Sequence, residues 1–141
     1  AFGSIYNQGT SSGQSITTGS AYATLTNFTA NGPAQNMTPG ITEITIDEDG
    51  YYEIALTLSF SDDTGGVVWD ISPHTDGTKI DEIHAKIQTG AAGDLHNAFL
   101  IGLIQVTGGP VDIDVRARHD NGGTVVITVE YAHMTIKRIG V

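Results

Sequence analysis

The chain has 141 residues, carries a formal charge of −10, and is 39% apolar and 16% charged. That length fits one domain burying about two-thirds of its unfolded surface, and the composition is too apolar and too weakly charged for a disordered chain. No stretch approaches the roughly 20 apolar residues of a membrane-spanning helix; the lack of cysteine excludes a disulfide scaffold, a thiolate metal site and a cysteine nucleophile; and the acidic balance repels nucleic acid and anionic membrane, so neither is an expected partner.

Residues 1–20 are rich in Gly, Ser, Thr and Gln, with Ile5, Tyr6 and Ile16 as isolated apolar positions. They are expected to form an arm or short edge strands ahead of one domain over 21–141. Ala21 to Thr29 alternates, with Tyr22 and Thr24 on one face and Ala23 and Leu25 on the other. Asn31-Gly32-Pro33 and Pro39-Gly40 read as turns. Ile41 to Ile46 reads as a strand closed by the acidic turn Asp47-Glu48-Asp49-Gly50.

Tyr51 to Phe60 has a clear period of two: Tyr52, Ile54, Leu56, Leu58 and Phe60 share one face, and Tyr51, Glu53, Ala55, Thr57 and Ser59 the other. A turn follows at 61–66, then a strand over Val67 to Ile71 and a hairpin signal at Asp76-Gly77. Ile80 to Thr89 fits a short helix or a strand, and the isoleucines favour strand. Asn97 to Val106 is apolar with almost no alternation. Such a strand needs cover on both faces, so a second layer or another subunit is expected over the face turned from the core.

Gly108-Gly109-Pro110 turns the chain. Val111, Ile113, Val115 and Ala117 then alternate with Asp112, Asp114, Arg116 and Arg118. Asn121-Gly122 reads as a hairpin turn. Val125, Ile127, Val129 and Tyr131 are followed by Met134, Ile136 and Ile139 on the opposite parity, which predicts a bulge or a strand buried on both faces. Short strands rich in Ile, Val and Thr, joined by Gly-rich turns, make an all-β sandwich or barrel the expected fold. The charge is uneven along it: residues 1–78 hold nine acids and no Lys or Arg, whereas 79–141 hold seven acids and all six bases. This predicts either plain solubility or an acidic patch for a basic protein surface.

Little in the sequence advertises catalysis. His74, His84, His96, His119 and His133 show no metal-ligand spacing, and His119, beside the 121–122 turn, is expected to be solvated. A Gly-x-Ser-x-Gly elbow is absent, and Ser11-Ser12-Gly13 is loop composition. The Asp47-Glu48-Asp49 and Asp62-Asp63 clusters lack a calcium loop's closing glutamate and read as solvated turns. Trp69 and the five tyrosines are the stock for any sugar-stacking surface. The expectation is a non-enzyme without cofactor or metal.

Two segments resemble the trimeric jelly-roll family of tumour necrosis factor and the complement globular heads. The first is Ile44-Thr45-Ile46, a turn, and Gly50-Tyr51-Tyr52 leading into the alternating run to Phe60. The second is Phe99 through Gly102, Ile104-Gln105-Val106, the Gly109 turn, and Val111 to Ile113. Tyr131 to Ile139 is similar to the family's closing strand. The resemblance covers residues 41–139. It implies an antiparallel jelly-roll sandwich of about 8–10 short strands and a homotrimer. The interface residues it implies are Tyr51, Ala55, Thr57, Phe99, Ile101 and Leu103.

Ala1 is compatible with removal of an initiator methionine, and no leader peptide is expected. With a Gly/Ser/Thr-rich, Lys-poor β-domain, this suggests a bacteriophage structural protein. The specific expectation is a trimeric decoration, or cement, protein on the outer capsid surface of the virion, with the major capsid protein as partner. The alternatives are the receptor- or glycan-binding tip of a fibre, using loops 61–66, 74–79 and 119–123, and a host-type ligand of the same fold.

Overall fold

The computed structural model describes residues 1–17 and 21–141. Among them are twelve strands and no helix. In chain order these are β1 (Phe2–Ile16), β2 (Ala23–Thr24), β3 (Ala30–Asn31), β4 (Met37–Pro39), β5 (Glu43–Ile46) and β6 (Gly50–Asp62). The second half contains β7 (Val68–Thr75), β8 (Thr78–Lys79), β9 (Ala85–Gln88), β10 (His96–Val106), β11 (Val111–His119) and β12 (Val125–Gly140).

Two antiparallel sheets form a sandwich. One has the order β10-β6-β12-β1-β3. The other has the order β4-β5-β11-β7-β8, with β2 added to β11 and β9 to β7. The period-two runs explain the layers. Along β6, Tyr52, Ile54, Leu56, Leu58 and Phe60 are all buried, and along β11 so are Val111, Ile113, Val115 and Ala117. They meet Ile5, Leu100, Met134, Ile136, Trp69 and Ile71 in one core. Each fully buried aliphatic side chain there contributes roughly 1.5–3 kcal/mol.

Residues 2–16 form one long strand, hydrogen-bonded to β12 from Phe2↔Lys137 to Ile16↔Val125 and to β3 through Ile5 and Tyr6. The last three residues of the expected arm, 18–20, lie outside the described residues. The parity change in the final strand is a bulge. Val129 pairs with Phe60 and Tyr131 with Ser59, leaving Glu130 unmatched. The β1–β12 register shifts at the same level, between Gln8 and Ser12. Beyond the bulge Ala132, Met134 and Ile136 face the core, and Tyr131 turns outward.

Several local expectations are corrected. Asn121-Gly122 is not a hairpin: β11 and β12 belong to different sheets, and residues 120–124 carry the chain across the sandwich. Neither residue has the positive φ of a type I′ turn. Instead the Asn121 N–H donates to His119 Nδ1 at 3.1 Å, and the Gly123 N–H to Asn121 Oδ1 at 3.1 Å. Asp76-Gly77 does close a two-residue hairpin, β7–β8, with both φ angles positive. Only Ala85–Gln88 of the 80–89 segment is a strand; Ile80 and Ile83 are buried in the turn before it. Ile139 is exposed, because beyond the bulge the odd-numbered positions face outward and it does not share the parity of Met134 and Ile136.

Candidate functional site

The face of the five-stranded sheet turned away from the core gathers the large exposed apolar side chains. On β10 the core-facing positions are Ala98, Leu100, Gly102, Ile104 and Val106. Phe99, Ile101 and Leu103 point the other way and are 65%, 53% and 60% exposed. The unbroken apolar run is therefore two alternating sets, one buried and one open.

The ladder arranges the outer set in rows. Phe99 lies across from Thr57, Thr57 from His133, and His133 from Tyr6. The next row is Ile101, Ala55, Thr135 and Ser4, and the one after it Leu103, Glu53, Lys137 and Phe2. Tyr51 and Tyr131, both about half exposed, stand at opposite ends of this face. All six residues expected at an interface, Tyr51, Ala55, Thr57, Phe99, Ile101 and Leu103, thus lie on one continuous surface spanning β6 and β10.

Sequence reasoning missed the contribution of β12 and β1. The bulge at Glu130 puts Tyr131 and His133 on the outer face, and an alternation count that ignores the bulge points Tyr131 into the core. Small side chains in the middle of the face leave relief beside the aromatic ones. A groove of about 340 Å³ runs over Thr57 and Ser59 between Phe99 and Tyr131. Another, about 410 Å³, lies between Tyr131 and His133 on one side and Tyr6, Gly32 and Pro33 on the other.

Several polar groups of this face have partners on it. Ser59 Oγ donates to Asn97 Oδ1 at 2.7 Å. Lys137 Nζ sits 3.2 Å from Glu53 Oε1, and the His133 ring meets Tyr6 edge-on at 6.2 Å. β10 is also the edge of its sheet, with no strand beyond it among the described residues. An apolar edge strand left bare is a template for pairing and aggregation, and contiguous apolar patches mark interaction surfaces.

The remaining candidates have structural roles. Asp62 is buried rather than solvated. Its Oδ2 accepts from Trp69 Nε1 at 2.8 Å and Thr89 Oγ1 at 2.8 Å; its Oδ1 accepts from the N–H groups of Thr64 at 3.1 Å and Gly65 at 2.7 Å. Burial opposes its ionisation, but the hydrogen bonds from Trp69, Gly65, Thr89 and Thr64 outweigh burial and hold the carboxyl below the usual carboxylate range. His119 is buried too, with Nε2 2.7 Å from the Ile16 carbonyl oxygen and its ring against Trp69. With Trp69 and Tyr52 in the core, neither is available to stack on a sugar. The Asp47-Glu48-Asp49 turn is exposed, and Arg138 joins it through Glu48 Oε2 at 2.9 Å and the Asp49 carbonyl at 2.6 Å.

On β7, Asp70, Ser72 and His74 form a buried polar row, with Ser72 Oγ 3.4 Å from His74 Nδ1. Ser72 is fully buried, so no substrate reaches its hydroxyl, and Asp70 is turned to Lys79 at 3.6 Å and Arg118 at 3.4 Å. Among the described residues no group of three or more His, Asp or Glu is placed to hold a metal ion.

No protein-family model and no curated protein sequence matches the chain. Solved structures do. A chain in the structure of infectious bursal disease virus, Gt strain, superposes with a TM-score of 0.59 at 12% identity, over 98% of this chain and 33% of that one. This chain therefore spans about a third of that virus protein's length. Vertex protein P5 of PRD1 gives 0.55 at 13% identity, over 98% of this chain and 96% of its own. Eiger, a TNF of S. frugiperda, gives 0.56 at 11% identity, over 98% and 92%. The fold of this chain is the jelly-roll sandwich found in both TNF-type ligands and these virus proteins.

Proposed function

We propose that this chain is a non-enzymatic structural protein of a virus that works as a homotrimer, closed through the outer face of the β10-β6-β12-β1 sheet. The observation that carries this reading is the exposed set Phe99, Ile101 and Leu103 on an edge strand, flanked by Tyr51 and Tyr131. A threefold arrangement would set the bare β10 edge of one copy against the face of the next and so cover it. The likeness to virus proteins supports a virion component. Decoration of the outer capsid surface, with the major capsid protein as partner, is the role we assign. Three copies joined in one particle dock with more binding free energy than a single contact supplies.

The first test is mass in solution. Light scattering at micromolar concentration should give three times 14.8 kDa. Phe99→Asp should give single copies. A single copy for the unaltered chain removes the proposal. The likeness to a vertex protein over 96% of its length favours a second reading, the tip of a vertex fibre. Copy number separates the two: hundreds of copies per particle support decoration, a handful a fibre, and clear hits on a glycan array support the fibre.

A further inference from the structure

His133 stands inside the apolar face rather than at its rim. We propose that it makes assembly of this chain pH-dependent: the trimer forms with the His133 imidazole neutral and weakens when that ring takes up a proton. This rests on the trimer reading above and concerns the regulation of the same surface.

The argument follows from what surrounds the ring. From β6, Thr57 lies directly across from it, and Phe99 of β10 lies beyond Thr57 in the same row. From β1, the Tyr6 ring meets it at 6.2 Å. Along β12 its neighbours on this face are Tyr131 and Thr135, and Gly32 and Pro33 close the groove beside it. The carboxylate sharing its adjoining groove, Glu53, is already engaged by Lys137 at 3.2 Å. A proton on His133 therefore places a charge beside Thr57, Thr135, Tyr6 and Tyr131 with no free carboxylate among them to pair with it. Covering that face with another copy removes the water that solvates the charge. Burying an unpaired charge is far more costly than burying a neutral ring.

The sign is opposite to the general charge effect. Copies carrying −10 each repel one another, and acidification reduces that repulsion, which favours association. Weakening on acidification therefore points to a specific buried group and not to net charge.

The experiment is sedimentation of the full chain across pH 8 to 5.5, with far-UV circular dichroism to confirm that the protomer stays folded. Each of three copies has to exclude a proton on assembly, so the trimer association constant is expected to fall by about tenfold or more between pH 8 and pH 5.5. His133→Gln, neutral at every pH, should lose this slope whatever its own trimer strength. A single copy at pH 8 overturns the trimer reading and this inference with it. A trimer whose constant is unchanged or higher at pH 5.5, or a His133→Gln variant with the same slope, overturns this inference alone.

Discussion

The indole N–H of Trp69 donates to the carboxylate of Asp62 at 2.8 Å, tying the end of β6 in one sheet to β7 in the other. Four donors converge on that single carboxylate, which makes it the acceptor for both the core tryptophan and the turn at 64–65. Removing it strands several buried donors at once. Asp62→Ala is expected to destabilise the protomer by about 3 kcal/mol or more, read as a lower urea midpoint at unchanged slope.

The same carboxylate predicts an acid limb of stability. Its folded pKa is depressed, so the stability it contributes is complete above the ordinary carboxyl value near 4. That stability is lost as pH falls through the folded value. Unfolding midpoints between pH 6 and 3 should fall for the unaltered chain, and less steeply for Asp62→Asn.

His74 acts in a higher window. Burial pushes its imidazole below the ordinary value of 6.5, against the raising effect of a hydrogen bond that the ring donates to the Ser72 carbonyl. In that window the unfolded chain binds the proton that the folded one excludes, so stability is complete above about pH 6.5 and declines below it. His74→Gln should flatten protomer stability between pH 7 and 5, measured by thermal unfolding. Its effect appears in unfolding and that of His133 in association, so the two are separable.

Core and outer face should respond differently to substitution. Leu56, fully buried on β6, is expected to cost about 2–5 kcal/mol when changed to Ala. Ile101→Ser, on an exposed position of β10, should leave protomer unfolding within about 0.5 kcal/mol under conditions where the chain is a single copy. Its effect should be on mass in solution instead.

Gly102 is a spacing device. A Cβ there would run into Ile83 Cγ1, with Ile83 Cδ1 at 2.6 Å. Because Ile83 is buried in the 80–84 turn, Gly102→Val should push that turn off β10 and cost about 1–3 kcal/mol. Faster amide exchange at Ile83 and His84 would report it; unchanged exchange would show that the isoleucine simply swings aside.

The layers were legible because β6 and β11 alternate without interruption, so the buried sets could be read from Tyr52 to Phe60 and from Val111 to Ala117. The outer set on β10 was legible as a surplus of apolar residues with no place in a two-layer core. What was not legible depends on distant partners. Asn121-Gly122 has the composition of a hairpin but joins two sheets, because the strands on either side pair elsewhere. Asp62 and His119 sit beside turn residues and read as solvated, yet Trp69, Thr89 and the Ile16 carbonyl, brought in from other segments of the fold, enclose them. Tyr131 and His133 were missed as members of the face because one unmatched residue shifts their phase.

That unmatched residue, Glu130, marks where the facing of β12 changes phase for the rest of the strand. Upstream of it odd-numbered positions point inward; downstream even-numbered ones do. Excising Glu130 would leave plain alternation along β12, with Val129, Ala132, Met134 and Ile136 still inward, whereas a single residue inserted after Tyr131 would turn the closing segment like a glove pulled inside out, sending Met134 and Ile136 to water and driving Lys137 toward the interior. Insertions within 131–137 therefore have to come in twos to keep Met134 and Ile136 in the core and Tyr131 and His133 on the outer face.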